Sequence, residues 1–251
     1  YFLLIMTSHI LFNCKQQNKN CQFEIKKIIF YKRKDKFMLL EFCAENFTNV
    51  PAAIQQGAHR IELCDNLAEG GTTPSYAVIE QTVNYANQHE ATVMTMVRPR
   101  GGNFVYSTIE HEMMKKDLTI IKDLNSHGVV FGSLTTENLI DRSKTKELID
   151  LSEGMETTFH MAFDEIPQDC QKSELDWLIE HKVTRILTHG GREGTVFDNL
   201  SWLKELVDHA AGRIEILVGG GVTYENWEQL AEKLSTNQFH GTKIVQLETT
   251  K

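Results

Sequence analysis

The sequence predicts an α/β fold, a single compact (β/α)8 TIM-type barrel over residues 38–251, on three observations. From Met38 onward a short apolar run, a turn and a helix-length amphipathic stretch repeat to the end, the rhythm of βα units with parallel strands. Eight strand candidates fit that rhythm, and eight is the number that closes such a barrel. No G-x-G-x-x-G follows the first of them, which weakens the open doubly wound sheet as the alternative.

In chain order the strand candidates are Leu39–Cys43, Arg60–Cys64, Thr92–Val97, Gly128–Gly132, Thr157–Phe163, Arg185–Thr188, Glu215–Gly219 and Gly241–Val245. Helical stretches such as Val50–Gln56 and Asp176–His181 lie between them. Pro51 sits where a helix starts, Gly57 where it ends, Ser75 where the next one is capped, and Thr223–Glu225 offers a threonine cap followed by an acidic residue. No linker or low-complexity run interrupts Met38–Val245. The barrel is short against the usual length of about 250 residues, so its loops are expected to be short. Only six residues follow Val245, so a full final helix is not expected.

Charge is divided along the chain. Residues 1–37 carry eight Lys/Arg against Glu24 and Asp35, a net +6, whereas the remainder holds 18 basic and 32 acidic groups, a net −14. An acidic body repels phosphate backbones and anionic head groups, so nucleic acid and membrane surfaces are poor partners for it. A small ligand or another protein suits it better, and assembly into a homo-oligomer is left open. The leader is apolar in patches through Phe12 but lacks a basic n-region and a small-residue cleavage site, and its apolar run is too short to span a bilayer. It reads as an upstream-translated or tag-like segment, or a disordered basic arm, outside the fold, with Met38 a natural start.

The five cysteines, Cys14, Cys21, Cys43, Cys64 and Cys170, form no CxxC pair and no Cys/His zinc spacing. That argues for a reducing compartment. Strand parity then sorts the residues that carry chemistry, because alternate residues of a barrel strand face the interior and the carboxyl-terminal strand ends form the site face. Glu41 and Cys43 of the first strand and Arg60, Glu62 and Cys64 of the second fall on inward parity. Two carboxylates and an arginine in an interior normally filled by branched aliphatics need mutual pairing or a polar pocket. Cys43 and Cys64 end neighbouring strands, so their sulfurs should lie close together. They are either small buried hydrophobes or soft ligands suited to Cu(I), with Met94 and Met96 as thioether donors nearby.

Past the third strand, Arg98 and Arg100 flank Pro99 ahead of Gly101-Gly102. They either fork onto a carboxylate or phosphate or pair with Glu62 or Asp164. In Phe159-His160-Met161-Ala162-Phe163-Asp164, His160 and Asp164 share one face of the predicted fifth strand and are candidates for acid–base work with Glu41 and Glu62. Turns at Gly190-Gly191 and Gly219-Gly220-Gly221 could hold an anion on bare amides, or simply allow tight turns.

The segments Leu40-Glu41-Phe42-Cys43, Arg60-Ile61-Glu62-Leu63-Cys64, Glu69-Gly70-Gly71-Thr72-Thr73-Pro74-Ser75, Arg98-Pro99-Arg100-Gly101-Gly102, Phe159-His160-Met161-Ala162-Phe163-Asp164 and Leu187-Thr188-His189-Gly190-Gly191 together resemble the CutC copper-homeostasis family. The resemblance covers nearly all of Met38–Val245. It implies a cytoplasmic (β/α) barrel that binds Cu(I), with Cys43 and Cys64 as the metal ligands, and no organic cofactor. Met161 stands where the family usually has an arginine, and His189 where serine is common. The rival expectation is an enzyme of this fold in which Glu41, Glu62, His160 or Asp164 transfers protons on a small anionic substrate. Arg60, Arg98, Arg100 and the glycine turns would then bind that substrate.

Overall fold

The computed structural model describes residues 37–247; the leader expected over 1–37 lies outside them but for Phe37. Eight parallel strands close in sequence order, each hydrogen-bonded to the next and the last to the first. They are β1 (Leu39–Glu45), β2 (Arg60–Cys64), β3 (Thr92–Met96), β4 (Gly128–Phe131), β5 (Glu156–Phe159), β6 (Arg185–Thr188), β7 (Glu215–Val218) and β8 (Gln238–Gly241). Seven α-helices among the described residues cover the barrel: α1 (Val50–Gln55), α2 (Tyr76–Gln88), α3 (Thr108–Asp123), α4 (Arg142–Leu151), α5 (Gln168–Glu180), α6 (Leu200–Ala210) and α7 (Trp227–Lys233). No helix among them is long and apolar enough to cross a membrane.

The strands are buried on both faces, as parallel strands under helices must be. Leu40, Ile61, Leu63, Phe131, Phe159 and Phe239 are fully buried and alternate with the axis-facing residues, so they fill the layer between strands and helices. Trp227 at the start of α7 meets the Phe239 ring with centroids 5.9 Å apart. Local chemistry sets the helix starts. Pro51 occupies the first turn of α1, and Ser107 and Glu110 form a reciprocal capping box at α3. Ser75 does take the cap position of α2, with extended backbone, but its side chain makes no capping bond.

Three sequence expectations need correction. The fifth strand stops at Phe159, and Met161–Glu165 forms a 3₁₀ turn. The His160 ring accepts the Ala162 amide at its Nδ1 and the His160 carbonyl accepts the Phe163 amide, which bends the chain out of the sheet. The eighth strand begins at Gln238 rather than Gly241, since Gln238 pairs in register with Leu39 and His240 with Glu41. Ile244 and Val245 are buried beyond the strand's end. The last helix starts at Trp227 behind Asn226, whose side-chain oxygen accepts the Thr223 amide.

Gly128 shows how tightly the barrel interior is filled. A methyl group there would run into the Met94 side chain and the Glu156 carbonyl of the neighbouring strand. Backbone cannot yield as a side-chain tip can, so Gly128→Ala should cost about 1–3 kcal/mol through overpacking, measured as a lowered urea midpoint at unchanged slope.

Candidate functional site

Parallel register puts matched residues of neighbouring strands on the same side. Glu41 is level with Arg60 and Cys43 with Glu62 across β1 and β2, and Glu41 is level with His240 across β1 and β8. The inward parity expected for these residues is met, and the polar interior is a connected network. The Arg60 guanidinium is ion-paired through Nε with Glu41 and donates from Nη2 to Gln238 Oε1 at 2.8 Å. The second Glu41 oxygen lies 2.8 Å from His240 Nδ1. His240 Nε2 in turn stands 3.6 Å from Glu62 Oε2, and the same carboxylate oxygen receives the Cys43 thiol at 3.2 Å and the Cys64 thiol at 3.7 Å. On another wall Arg185 is ion-paired with Glu156 and donates to Thr158 Oγ1 at 3.1 Å.

This arrangement fixes the charges. Burial pushes the Glu41 carboxyl upward, but Arg60 and the hydrogen bond to His240 outweigh it and hold the group at about 2. Burial raises Glu62 against the pull of His240. His240 is itself lifted well above its usual range because Glu62, Cys43 and Glu41 overcome its burial. A bond with Cys64, burial and the Glu62 charge drive the Cys43 thiol well above 9. At Cys64 a bond with Cys43 pulls downward, yet burial and Glu62 win and place the thiol at about 11. Both cysteines are therefore neutral thiols at pH 7, held beside a carboxylate that can take a proton.

Two groups of ligand atoms converge here, each within 4.8 Å of one another: Cys43, Glu62 and Cys64, and Glu41, Glu62 and His240. With metal–sulfur bonds of about 2.3 Å, the zinc–thiolate value, two thiolates on one ion stand no more than about 4.6 Å apart, so the sulfur pair needs little movement to share one. Met94, Met96, Val130 and Leu67 pack around the sulfurs. The set is soft and partly apolar, which suits Cu(I) better than a hard, oxygen-seeking cation. The second set is less open to a cation, since Glu41 already neutralises Arg60.

The other residues expected from sequence lie toward the strand ends. Arg98 is buried, and its Nη atoms donate to the carbonyls of Glu69 at 2.7 Å, Gly71 at 2.9 Å and Gly102 at 2.8 Å. It pairs with neither Glu62 nor Asp164. Arg100 is bound locally, to Glu110 of α3 at 2.5 Å and to the loop carbonyls of Gly101, Asn103 and Val105. Asp164 does not share a strand face with His160; it joins the end of β6, hydrogen-bonded to the Thr188 hydroxyl, accepting the His189 amide at 3.1 Å and touching His189 Nδ1 at 2.7 Å. Gly190, Gly220 and Gly221 have φ of 92°, 73° and 91°, a backbone only glycine adopts readily. Gly220 also lies against the His189 side chain, so no other residue fits there. Gly219 backs onto Leu187, Met161 and His240, and Gly191 faces Asn199.

His160 is buried and, from burial and the nearby Arg98 charge, its ring falls to about 3 from 6.5. A histidine free to protonate when unfolded but not when folded removes stability as pH falls from 6.5 toward 3. His160→Phe is accordingly expected to flatten the pH dependence of unfolding free energy across that interval, read from urea curves at successive pH values.

Sequence reasoning missed Gln238, His240, Arg185 and His189. Gln238 and His240 alternate around buried Phe239 just as Arg60 and Glu62 alternate around Ile61, and that period of two was the available signal.

With the geometry in view, comparison with known proteins gives a consistent result. The CutC family model matches residues 38–245. The CutC family protein of Enterococcus faecalis is 53% identical over 209 residues, covering 83% of this chain and 100% of that protein. The copper homeostasis protein cutC homolog of Mus musculus is 38% identical over 202 residues, 80% of this chain and 72% of that one. The crystal structure of CutC from Streptococcus agalactiae superposes with a TM-score of 0.81 at 43% identity, covering 83% of this chain and 100% of that one. Closed barrel, ordered motifs and similarity over residues 38–245 agree: the chain belongs to the CutC family.

Proposed function

We propose that this protein is a cytoplasmic copper-homeostasis protein that binds one Cu(I) through Cys43 and Cys64. The observation that carries the reading is the convergence of two buried thiols and the Glu62 carboxylate within 4.8 Å, lined by methionines. Cys43 and Cys64 would hold the ion as thiolates, with Glu62 accepting a released proton and His240, Glu41 and Arg60 balancing charge behind it. The name of the mouse relative points the same way. Free, closely placed thiols fit a reducing compartment. The test is anaerobic Cu(I) titration against a competing chelator, on the wild type and on the Cys43→Ser, Cys64→Ser protein. Equal, weak binding by both would overturn the reading.

A second reading, an enzyme acting on a small phosphate or carboxylate, draws support from the His189–Asp164 contact. Asp164 is buried and fixed by Thr188, while the His189 ring is 17% exposed. That is the arrangement of an imidazole oriented by a carboxylate for proton transfer. Gly190, Gly191 and Gly219–Gly221 would supply amides to the anion, with Glu41 and Glu62 deeper in the barrel and His160 at the end of β5.

A further inference from the structure

A group of buried polar atoms apart from the cysteines has no role in copper binding. Arg98, 4% exposed, lies beneath the loop that follows β3. Its two Nη atoms are taken by three backbone carbonyls, but its Nε is buried without an acceptor, and it makes no ion pair among the described residues. A buried guanidinium facing only neutral carbonyls is under-compensated, since buried charges are normally matched by an opposite one.

His160, directly after β5, adds a second unmatched donor. Its Nδ1 accepts the Ala162 amide at 3.1 Å and is therefore the unprotonated nitrogen. The ring hydrogen then sits on Nε2, which is buried with no partner. The neutral ring is the form that burial and the Arg98 charge enforce, so this N–H persists across physiological pH. Phe104 packs against both residues: its ring is 4.8 Å from the His160 ring and 4.9 Å from the Arg98 guanidinium carbon. Tyr106, two residues on, brings a buried hydroxyl up to Arg98. Two unmatched donors, one from the connection after β3 and one from the end of β5, meeting one aromatic ring beside a positive charge that no carboxylate balances, are costly in a native protein unless something accepts from them.

We infer that the carboxyl-terminal mouth of the barrel binds a compact oxyanion, a carboxylate or phosphate, whose oxygens accept from His160 Nε2 and Arg98 Nε beneath Phe104. Neither donor comes from the strands that carry the cysteines, and the anion needs no copper, although Gly71, whose carbonyl accepts from Arg98, lies against Cys64 Sγ. Proton-neutral His160 makes it a hydrogen-bond donor rather than a base, and Arg98 supplies the charge.

The probes are inorganic phosphate and acetate, used on the metal-free full chain. Titration followed by ¹H–¹⁵N spectra of the imidazoles should show the His160 Nε2 resonance protonated throughout and shifting saturably with one of the two anions. His160→Phe keeps the ring and removes the donor, and it should weaken that binding by about tenfold or more, the ratio of one charge-assisted hydrogen bond. Cys43→Ser, Cys64→Ser should leave it unchanged. A His160 signal indifferent to both anions in the wild type would overturn the inference even if the phenylalanine variant failed to fold. Binding that survives His160→Phe at full strength would overturn it equally, by placing the anion elsewhere.

Discussion

The Cys43→Ser, Cys64→Ser protein is expected to lose Cu(I) affinity by well over a hundredfold while remaining folded. Changes to residues that only support a metal ligand already cost about 10- to 100-fold, and here both soft donors go. Serine is close in size to cysteine and each hydroxyl can still donate to Glu62 Oε2, which the thiols now do at 3.2 and 3.7 Å. Packing loss should therefore be small and the thermal midpoint near that of the wild type. The affinity of the unaltered protein should also climb with pH, because Cys64 titrates at about 11 and Cys43 above its usual value. At neutral pH each thiolate formed must release a proton, and raising the pH eases that release. A chelator competition series from mildly acidic to alkaline pH reads this directly. Affinity indifferent to pH would mean that the metal is held by something other than these thiols.

The second large effect falls on stability. Glu41→Ala should cost about 3–5 kcal/mol, the range for removing one partner of a buried ion pair. Arg60 and His240 are both buried and both pair with Glu41. Truncation leaves a guanidinium and an imidazole facing each other in the barrel interior without the carboxylate that joined them. Replacing Glu41 and Arg60 together by leucine and methionine should recover the part of the loss that falls on Arg60, because matched apolar groups remove the desolvation cost along with the attraction, while His240 still lacks Glu41. Chemical denaturation of the two single variants and the double gives the coupling energy. A Glu41→Ala cost under about 1 kcal/mol would show the network to be solvated and weak. The same pair sets an acid limit. Glu41 lies at about 2 folded against 4.5 unfolded, so its stabilisation is complete above 4.5 and fades as pH falls toward 2.

Much of the fold was legible because its strands are bounded by residues of opposite character. Arg60–Cys64 and Arg185–Thr188 were read to the residue, each a charged opening followed by apolar alternation. The parity that sent Glu41, Cys43, Arg60, Glu62 and Cys64 inward held because barrel register gives strand residues only two directions. The errors came where side chains, not hydrophobicity, decide the path. Phe159 and Phe163 continue an apolar run that suggests a longer strand, but the His160 ring captures the Ala162 amide and turns the chain. In β8 the inward residues are Gln238 and His240, which look like loop residues until Arg60 and Glu41 are known to await them. A site whose members complete one another across the whole chain cannot be recognised from any one segment.

The placement of those partners has a consequence for how the chain folds. Gln238 and His240 meet Arg60 and Glu41 across separations of 178 and 199 residues. Until the eighth strand has emerged and docked between β7 and β1, an ion pair in the second strand has no imidazole and no amide to finish it, and the barrel has two open edges. Non-local closures of this kind come late and slowly. A chain arrested before Gln238 would thus hold its most costly groups half-matched and leave the edges of β7 and β1 unpaired.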